Sequence, residues 1–237
     1  MSRLLFGIAF VATLTAVHAQ GRGVLHGRAE GRTYYSATGA FKVTIPVLPE
    51  LGGGITDTEN VVTFQDDFNT HVSIAVFPQD ATQRWEMSTR GTKDYLVYFF
   101  TNFVLADFKQ NFTGVTVESA SYLHNVMDGA LVAYILLPGG SMFMNRVPKL
   151  SDTEKPPVAK RGNLVFVKNG DIYVISTELA ERVLERHTYK KTPAEEDTIL
   201  RQRLDDILGK IQFLKTANTN PTAPMTPTPP VPSSHGR

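Results

Sequence analysis

Cationic side chains are the residues of this sequence whose spacing most favours a binding role. They lie in residues 139–162, a long connection between two predicted β-hairpins. Long connections in compact domains are usually functional or disordered. The segment carries five cations against two acids: Arg146, Lys149, Lys155, Lys160 and Arg161. Exposed together, they predict a docking site for an acidic protein, an anionic polysaccharide or a lipid headgroup. A merely solubilising loop is the alternative.

A second basic run follows over residues 182–191, and Glu185 is the one acid within it. Its members are Arg182, Arg186, His187, Lys190 and Lys191. If both runs lie at one end of the sheet, they form a cationic patch on a nearly neutral protein.

Residue types used in catalysis and metal binding occur here without a supporting pattern. Ser141 follows two glycines but lacks the G-x-S-x-G sequence of a nucleophile elbow. His71 alternates with Val72 in a predicted strand, which places its side chain on the polar, solvated face. Asp66-Asp67 is typical of a turn. The sequence therefore predicts no catalytic residue, no cofactor and no metal site.

Composition limits the function classes further. The 237 residues are 42% hydrophobic and 20% charged, which is typical of one globular domain. The 24 Lys and Arg against 23 Asp and Glu do not favour a nucleic-acid partner. The absence of Cys excludes thiol catalysis and Cys-ligated zinc.

The N-terminus predicts an export signal. Arg3 precedes an apolar run over residues 4–17, and Val17-His18-Ala19 matches a signal-peptidase site. We expect cleavage after residue 19, and no later run is long enough to span a bilayer. Because exported proteins without Cys are common in bacteria, we expect a secreted or periplasmic bacterial protein.

The remaining chain divides into three parts. Residues 20–32 are Gly- and Arg-rich and predict a flexible lead-in, and residues 33–215 predict a single α+β domain. Residues 216–237 are rich in Thr and Pro and predict a disordered tail. Within the domain, about seven strands with hairpin connections predict an antiparallel sheet flanked by two or three helices. An aromatic helix is expected over residues 95–108. A capped helix is expected to begin after Thr192 and to end at Gly209 in the left-handed conformation. Residues 61–65 and 71–77 predict two strands, and Asn169-Gly170 predicts a two-residue hairpin turn.

A family resemblance appears in the first hairpin. Residues 34–46, YYSATGAFKVTIP, resemble the opening of PsbP-like domains: an aromatic strand, a Gly turn and a Phe-containing strand closed by Pro. The order of later elements is similar too, so that the resemblance covers about residues 33–214. It implies a layered α/β/α fold and a binding, assembly or accessory role.

These observations favour an exported, non-catalytic binding or accessory module. Two alternatives stay open. One is a hydrolase or transferase whose residues are dispersed in the sequence. The other is a carrier of an apolar ligand, which the aromatic helix suggests.

Overall fold

The computed structural model describes residues 24–146 and 155–214. The predicted signal peptide, the tail over residues 216–237 and Lys149 lie outside these ranges. The first half of the domain contains six strands, and a short 3-10 turn, Pro49–Leu51, follows the third. The strands are β1 (Arg28–Glu30), β2 (Thr33–Tyr35), β3 (Phe41–Thr44), β4 (Gly54–Asp57), β5 (Val61–Gln65) and β6 (His71–Pro78).

Helices follow β6, and the second half returns to strands. The first helices are α1 (Ala81–Arg90), α2 (Thr92–Phe99) and α3 (Leu105–Asn111), with a π-helical turn, Phe100–Val104, between the last two. The next strands are β7 (Thr116–Leu123), β8 (Ala130–Pro138), β9 (Val158–Lys168) and β10 (Asp171–Glu178). The chain then forms α4 (Ala180–Leu184), α5 (Pro193–Leu208) and β11 (Ile211–Phe213).

The strands form two antiparallel sheets. The larger has seven strands in the order β4-β5-β6-β10-β9-β8-β7, and the smaller has the order β1-β2-β3-β11. The predicted antiparallel sheet of about seven strands with flanking helices is therefore confirmed, and the described residues add a four-stranded sheet that was not predicted. The prediction of a flexible lead-in is corrected at Arg28–Glu30, because these residues pair with β2.

Alternation along the strands gives the larger sheet two apolar faces. One face packs side chains such as Phe64, Ile74 and Phe166 against the smaller sheet and α5. The other face packs Ala75, Val165 and Val174 against α2 and α3. The helix expected over residues 95–108 is confirmed as this second layer.

Local signals fix several of these elements. At α5, Thr192 Oγ1 accepts a hydrogen bond from the Glu195 amide while the Glu195 carboxylate accepts one from the Thr192 amide at 2.7 Å. The predicted Asn169-Gly170 turn has positive φ at both residues, as a two-residue hairpin requires. Gly209 differs from expectation: its φ is −63°, so α5 ends without a left-handed residue. Within residues 24–146 and 155–214, no helix combines the length and apolarity needed to cross a membrane.

Candidate functional site

The candidate site is one end of the larger sheet, where the β5–β6 turn, the end of β10 and the second half of α5 meet. An open groove of about 310 Å³ lies there. Apolar and polar side chains line it: Pro46, Asn69, Thr70, Val72, Thr177, Arg203, Asp206, Ile207 and Lys210. A groove lined by both apolar and polar side chains suits an amphipathic ligand.

The β5–β6 turn beside the groove is held by a single carboxylate. Asp66 Oδ1 accepts hydrogen bonds from the amides of Phe68, Asn69 and Thr70 at 2.9, 3.0 and 2.9 Å. Burial alone would raise the pKa of Asp66, but these donors outweigh burial and hold the pKa below its ordinary value. The turn-forming role predicted for Asp66 is confirmed.

Three large apolar side chains are exposed at this end. Phe68, at the tip of the turn, is 56% exposed, Leu48 is 45% exposed and Leu51 is 37% exposed. The loop that contains Leu48 and Leu51 is joined to the β5–β6 turn, because the Asp67 amide donates a hydrogen bond to the Leu51 carbonyl at 2.9 Å. We call Leu48, Leu51 and Phe68 the apolar patch.

Charged side chains of the groove differ in how far they are compensated. Arg203 donates to the Glu178 carbonyl at 3.1 Å and to Glu181 Oε1 at 2.6 Å. Burial alone would raise the pKa of Glu181, but Arg203 outweighs burial and lowers that pKa. Lys210 is exposed, and its ammonium has no ion-pair partner in the part of the chain that the structure describes. Lys210 is thus available to an anionic group.

Lys160 corrects the sequence-based docking prediction. It lies inside β9, its side chain is fully buried, and it forms ion pairs with Glu118, Glu196 (3.1 Å) and Asp197 (2.7 Å). Burial alone would lower the pKa of Lys160, but these carboxylates outweigh burial and raise it. Arg182, from the second basic run, donates to both oxygens of Glu196 at 2.7 Å. These two cations are neutralised within the domain.

Arg161 is also corrected, because it points to the opposite face of β9 and is buried. Its guanidinium donates to Glu178 at 3.3 Å and to the Gly140 carbonyl at 3.4 Å. Glu178 also accepts from the Ser141 hydroxyl and from the Met142 amide. β9 begins at Val158, earlier than the sequence predicts. Because side chains alternate along a strand, Lys160 and Arg161 lie on opposite faces of the sheet, and each forms ion pairs with carboxylates there.

Two of the other residues predicted for docking, Arg146 and Lys155, lie outside the core. Arg146 forms an ion pair with Asp67 and so lies beside the apolar patch. Lys155 is exposed. Lys149 lies outside the described residues.

His71 is a further correction, because it is 3% exposed instead of solvated. Burial, followed by the charge of Arg161, holds the pKa of His71 well below its ordinary value, so the ring is neutral. The face of the sheet that the alternation in β6 predicts to be polar and solvated is buried inside the domain. Its polar groups bind one another there: the Ser176 hydroxyl donates to Asn163 Oδ1 at 2.8 Å. His71, Ser141 and Glu178 are residue types that hydrolases use, and all three side chains are buried in this domain.

A metal site is not apparent in residues 24–146 and 155–214, where no three His, Asp or Glu side chains converge suitably. The apolar patch and Lys210 were missed from the sequence. A large apolar residue inside a polar turn, as in Asp67-Phe68-Asn69, is the signal that could have identified the patch.

Comparisons with known proteins find similarity in structure alone. The sequence matches no protein-family model and has no significant match among curated proteins. The structure is similar to the solution structure of cyanobacterial PsbP from Synechocystis sp. PCC 6803, with a TM-score of 0.48 and 11% identity. That alignment covers 84% of this chain and 99% of the other. PsbP is the family that the first hairpin resembles.

Two further structures have lower scores. The Ran-binding protein Mog1p of Saccharomyces cerevisiae aligns with a TM-score of 0.45 and 9% identity over 80% of this chain and 96% of its own. A protein of Bacteroides thetaiotaomicron VPI-5482 aligns with a TM-score of 0.40 and 13% identity over 79% of this chain and 50% of its own.

Proposed function

We propose that this protein is an exported, non-catalytic binding module that docks another protein through the apolar patch and the adjoining groove. The observation that carries the proposal is Phe68, a phenyl ring more than half exposed at the tip of a turn that three hydrogen bonds to Asp66 hold in place. A turn whose backbone is already held in place loses little conformational entropy on binding, and aromatic side chains such as Phe are enriched in protein interfaces.

The partner chemistry follows from the surrounding charges. Lys210 and Arg203 line the groove with one acid, Asp206, and the Arg203 charge is shared with Glu181. Arg146 borders the patch through its pair with Asp67. A partner segment that packs an apolar side chain against Phe68 and pairs a carboxylate with Lys210 is complementary to both the apolar patch and the groove. Lys149 and Lys155 remain predicted contacts of this acidic partner.

The alternatives have less support. An enzyme would need reactive groups open to substrate, whereas His71, Ser141 and Glu178 are buried. For a carrier, the aromatic helix would line a cavity, yet its rings pack on one another and on the sheet. The centroids of Phe99 and Phe103 are 5.1 Å apart, and those of Phe99 and Phe77 of β6 are 6.3 Å apart.

The experiment begins with site-specific crosslinking in cells. Phe68 is replaced by a photoreactive phenylalanine analogue, and Trp85, which is 61% exposed on α1, receives the same analogue as a matched control. The expected result is a protein that crosslinks from position 68 and not from position 85. Equal crosslinking from the two positions would reject the patch as the docking surface.

The affinity of the captured protein is then measured by calorimetry. F68A should weaken binding roughly tenfold or more, as loss of an interface hot spot does. W85A should bind as wild type does. K210Q should weaken binding mainly at low salt, because exposed charges are screened as ionic strength rises. Unchanged affinity of F68A would refute the proposed function.

A further inference from the structure

The outer edge of β7 is a second surface that could bind a partner, through its backbone N–H and C=O groups. β7 forms one end of the seven-stranded sheet, and within residues 24–146 and 155–214 no strand pairs with its outer side. Natural edge strands are usually protected by Lys, Pro, a bulge or a covering element. β7 has neither Lys nor Pro, and its protection is a bulge between Val117 and Ser119.

Beyond that bulge the strand is regular. Ser119 to Leu123 pair one by one with Tyr134 to Ala130 of β8. Both faces of this stretch are already engaged by the same chain: Ser119 donates to Asp197 of α5 at 3.0 Å, and Tyr122 packs on the opposite face. The backbone edge therefore remains for a partner.

The sequence around Ser121 is complementary to itself in antiparallel orientation. A two-fold axis at Ser121 places Ala120 opposite Tyr122 and Ser119 opposite Leu123, so that each small side chain faces a large one. Small and large side chains that face each other in this way are complementary in size, and such self-complementarity is what a two-fold dimer interface requires.

We propose that β7 pairs with β7 of a second copy around an axis at Ser121, which joins two seven-stranded sheets into one continuous sheet. A five-residue strand pair buries less than the ~1,200 Å² of a stable interface. The dimer is accordingly weak and forms as protein concentration rises. It uses neither the apolar patch nor the groove, so it is independent of the proposed function.

The test is sedimentation velocity of the purified full chain from low micromolar to near-millimolar concentration. Wild type should shift from monomer towards dimer. S121K places two ammonium groups directly opposite each other at the axis, and S121E does the same with carboxylates, so each variant alone should stay monomeric. A mixture of the two should form the dimer again, because the pair at the axis is then oppositely charged.

T116K is the matched control, since Thr116 is exposed on the same strand but lies before the bulge. It should dimerise as wild type does, and all variants should melt as wild-type monomer does. Wild type that stays monomeric at every concentration would overturn the proposal. The proposal would be overturned in the same way if the reason for the monomer were another segment of the chain covering β7. Dimerisation of S121K at the wild-type level would overturn it as well.

Discussion

Individual charged residues show how strongly burial decides function in this domain. Lys160 is surrounded by three carboxylates, whereas Lys210 has no such partner among the described residues. A buried cation must be compensated, because removing it from water costs several kcal/mol. Lys160 therefore serves the fold, and Lys210 is available to a ligand.

Asp107 provides a prediction at the residue scale. It is 9% exposed in α3, Oδ2 lacks a hydrogen-bond partner among the described residues, and burial raises the pKa of Asp107 to about 6. The unfolded chain ionises near pH 3.8, so the folded state loses stability as pH rises through about 6. D107N does not ionise and should stabilise the protein by about 1 kcal/mol at pH 7, a value discounted for partial solvation.

Denaturant unfolding of D107N and wild type at pH 7 and at about pH 3 checks this sign. The difference should nearly vanish at about pH 3, below the ordinary pKa of Asp, where the wild-type carboxyl group is largely protonated in both the folded and the unfolded state. A variant less stable than wild type at pH 7 would show that the carboxylate has a favourable partner.

At the scale of elements, α5 links the core to the groove. Leu200 and Leu204 are buried against β9, where Gly162 leaves room for them: a Cβ at position 162 would lie 3.1 Å from Leu204 Cδ1. The same helix presents Arg203 and Asp206 to the groove. Packing of one face therefore positions the groove residues.

L204A should lower the free energy of unfolding by ~2–5 kcal/mol, because it leaves a cavity at a fully buried site. Q202A, at an exposed position of α5, is the control and should change stability by less than ~0.5 kcal/mol. Denaturant unfolding monitored by circular dichroism measures both. Equal stability of L204A and wild type would mean that this face of α5 does not pack on the sheet.

At the scale of the whole molecule, Asp57 connects the two sheets. Its side chain is 2% exposed and accepts hydrogen bonds from the amides of His26 and Gly27 at 2.9 and 2.7 Å, and from Tyr34 Oη at 2.7 Å. Asp57 belongs to β4 of the larger sheet, whereas Tyr34 belongs to β2 of the smaller. Burial alone would raise the pKa of Asp57, but these donors outweigh burial and lower it.

D57A should destabilise the protein by about 2 kcal/mol, because it leaves buried donors without an acceptor. The loss of stability should be full at neutral pH and should shrink as pH falls below the ordinary pKa of Asp. The reason is that the hydrogen bonds to Asp57 favour its ionised form, so they stabilise the fold only while Asp57 is ionised. E59A removes a neighbouring exposed carboxylate and should be nearly neutral. Hydrogen exchange should show faster opening of β1 and β2 in D57A. Exchange and stability equal to those of E59A would exclude this connection between the sheets.

The sequence by itself determined the elements whose signals are local. Alternation in residues 61–65 and 71–77 predicted β5 and β6, the Asn169-Gly170 pair predicted a hairpin turn, and Thr192 with Glu195 predicted the start of α5. Each signal depends on backbone geometry or on residues a few positions apart, so it can be read without knowing the fold.

Only the tertiary structure decided which polar groups are solvated. Lys160 is neutralised by residues from β7 and α5, and Arg161 by Glu178 of β10, partners 17 to 42 positions away in the sequence. His71 is buried because a helix layer covers the face that its alternation marked as polar. Phe68 is 56% exposed in the turn between β5 and β6, although its residue type is typical of a core. Burial and charge pairing depend on contacts between distant residues, and no local pattern of residue types specifies those contacts.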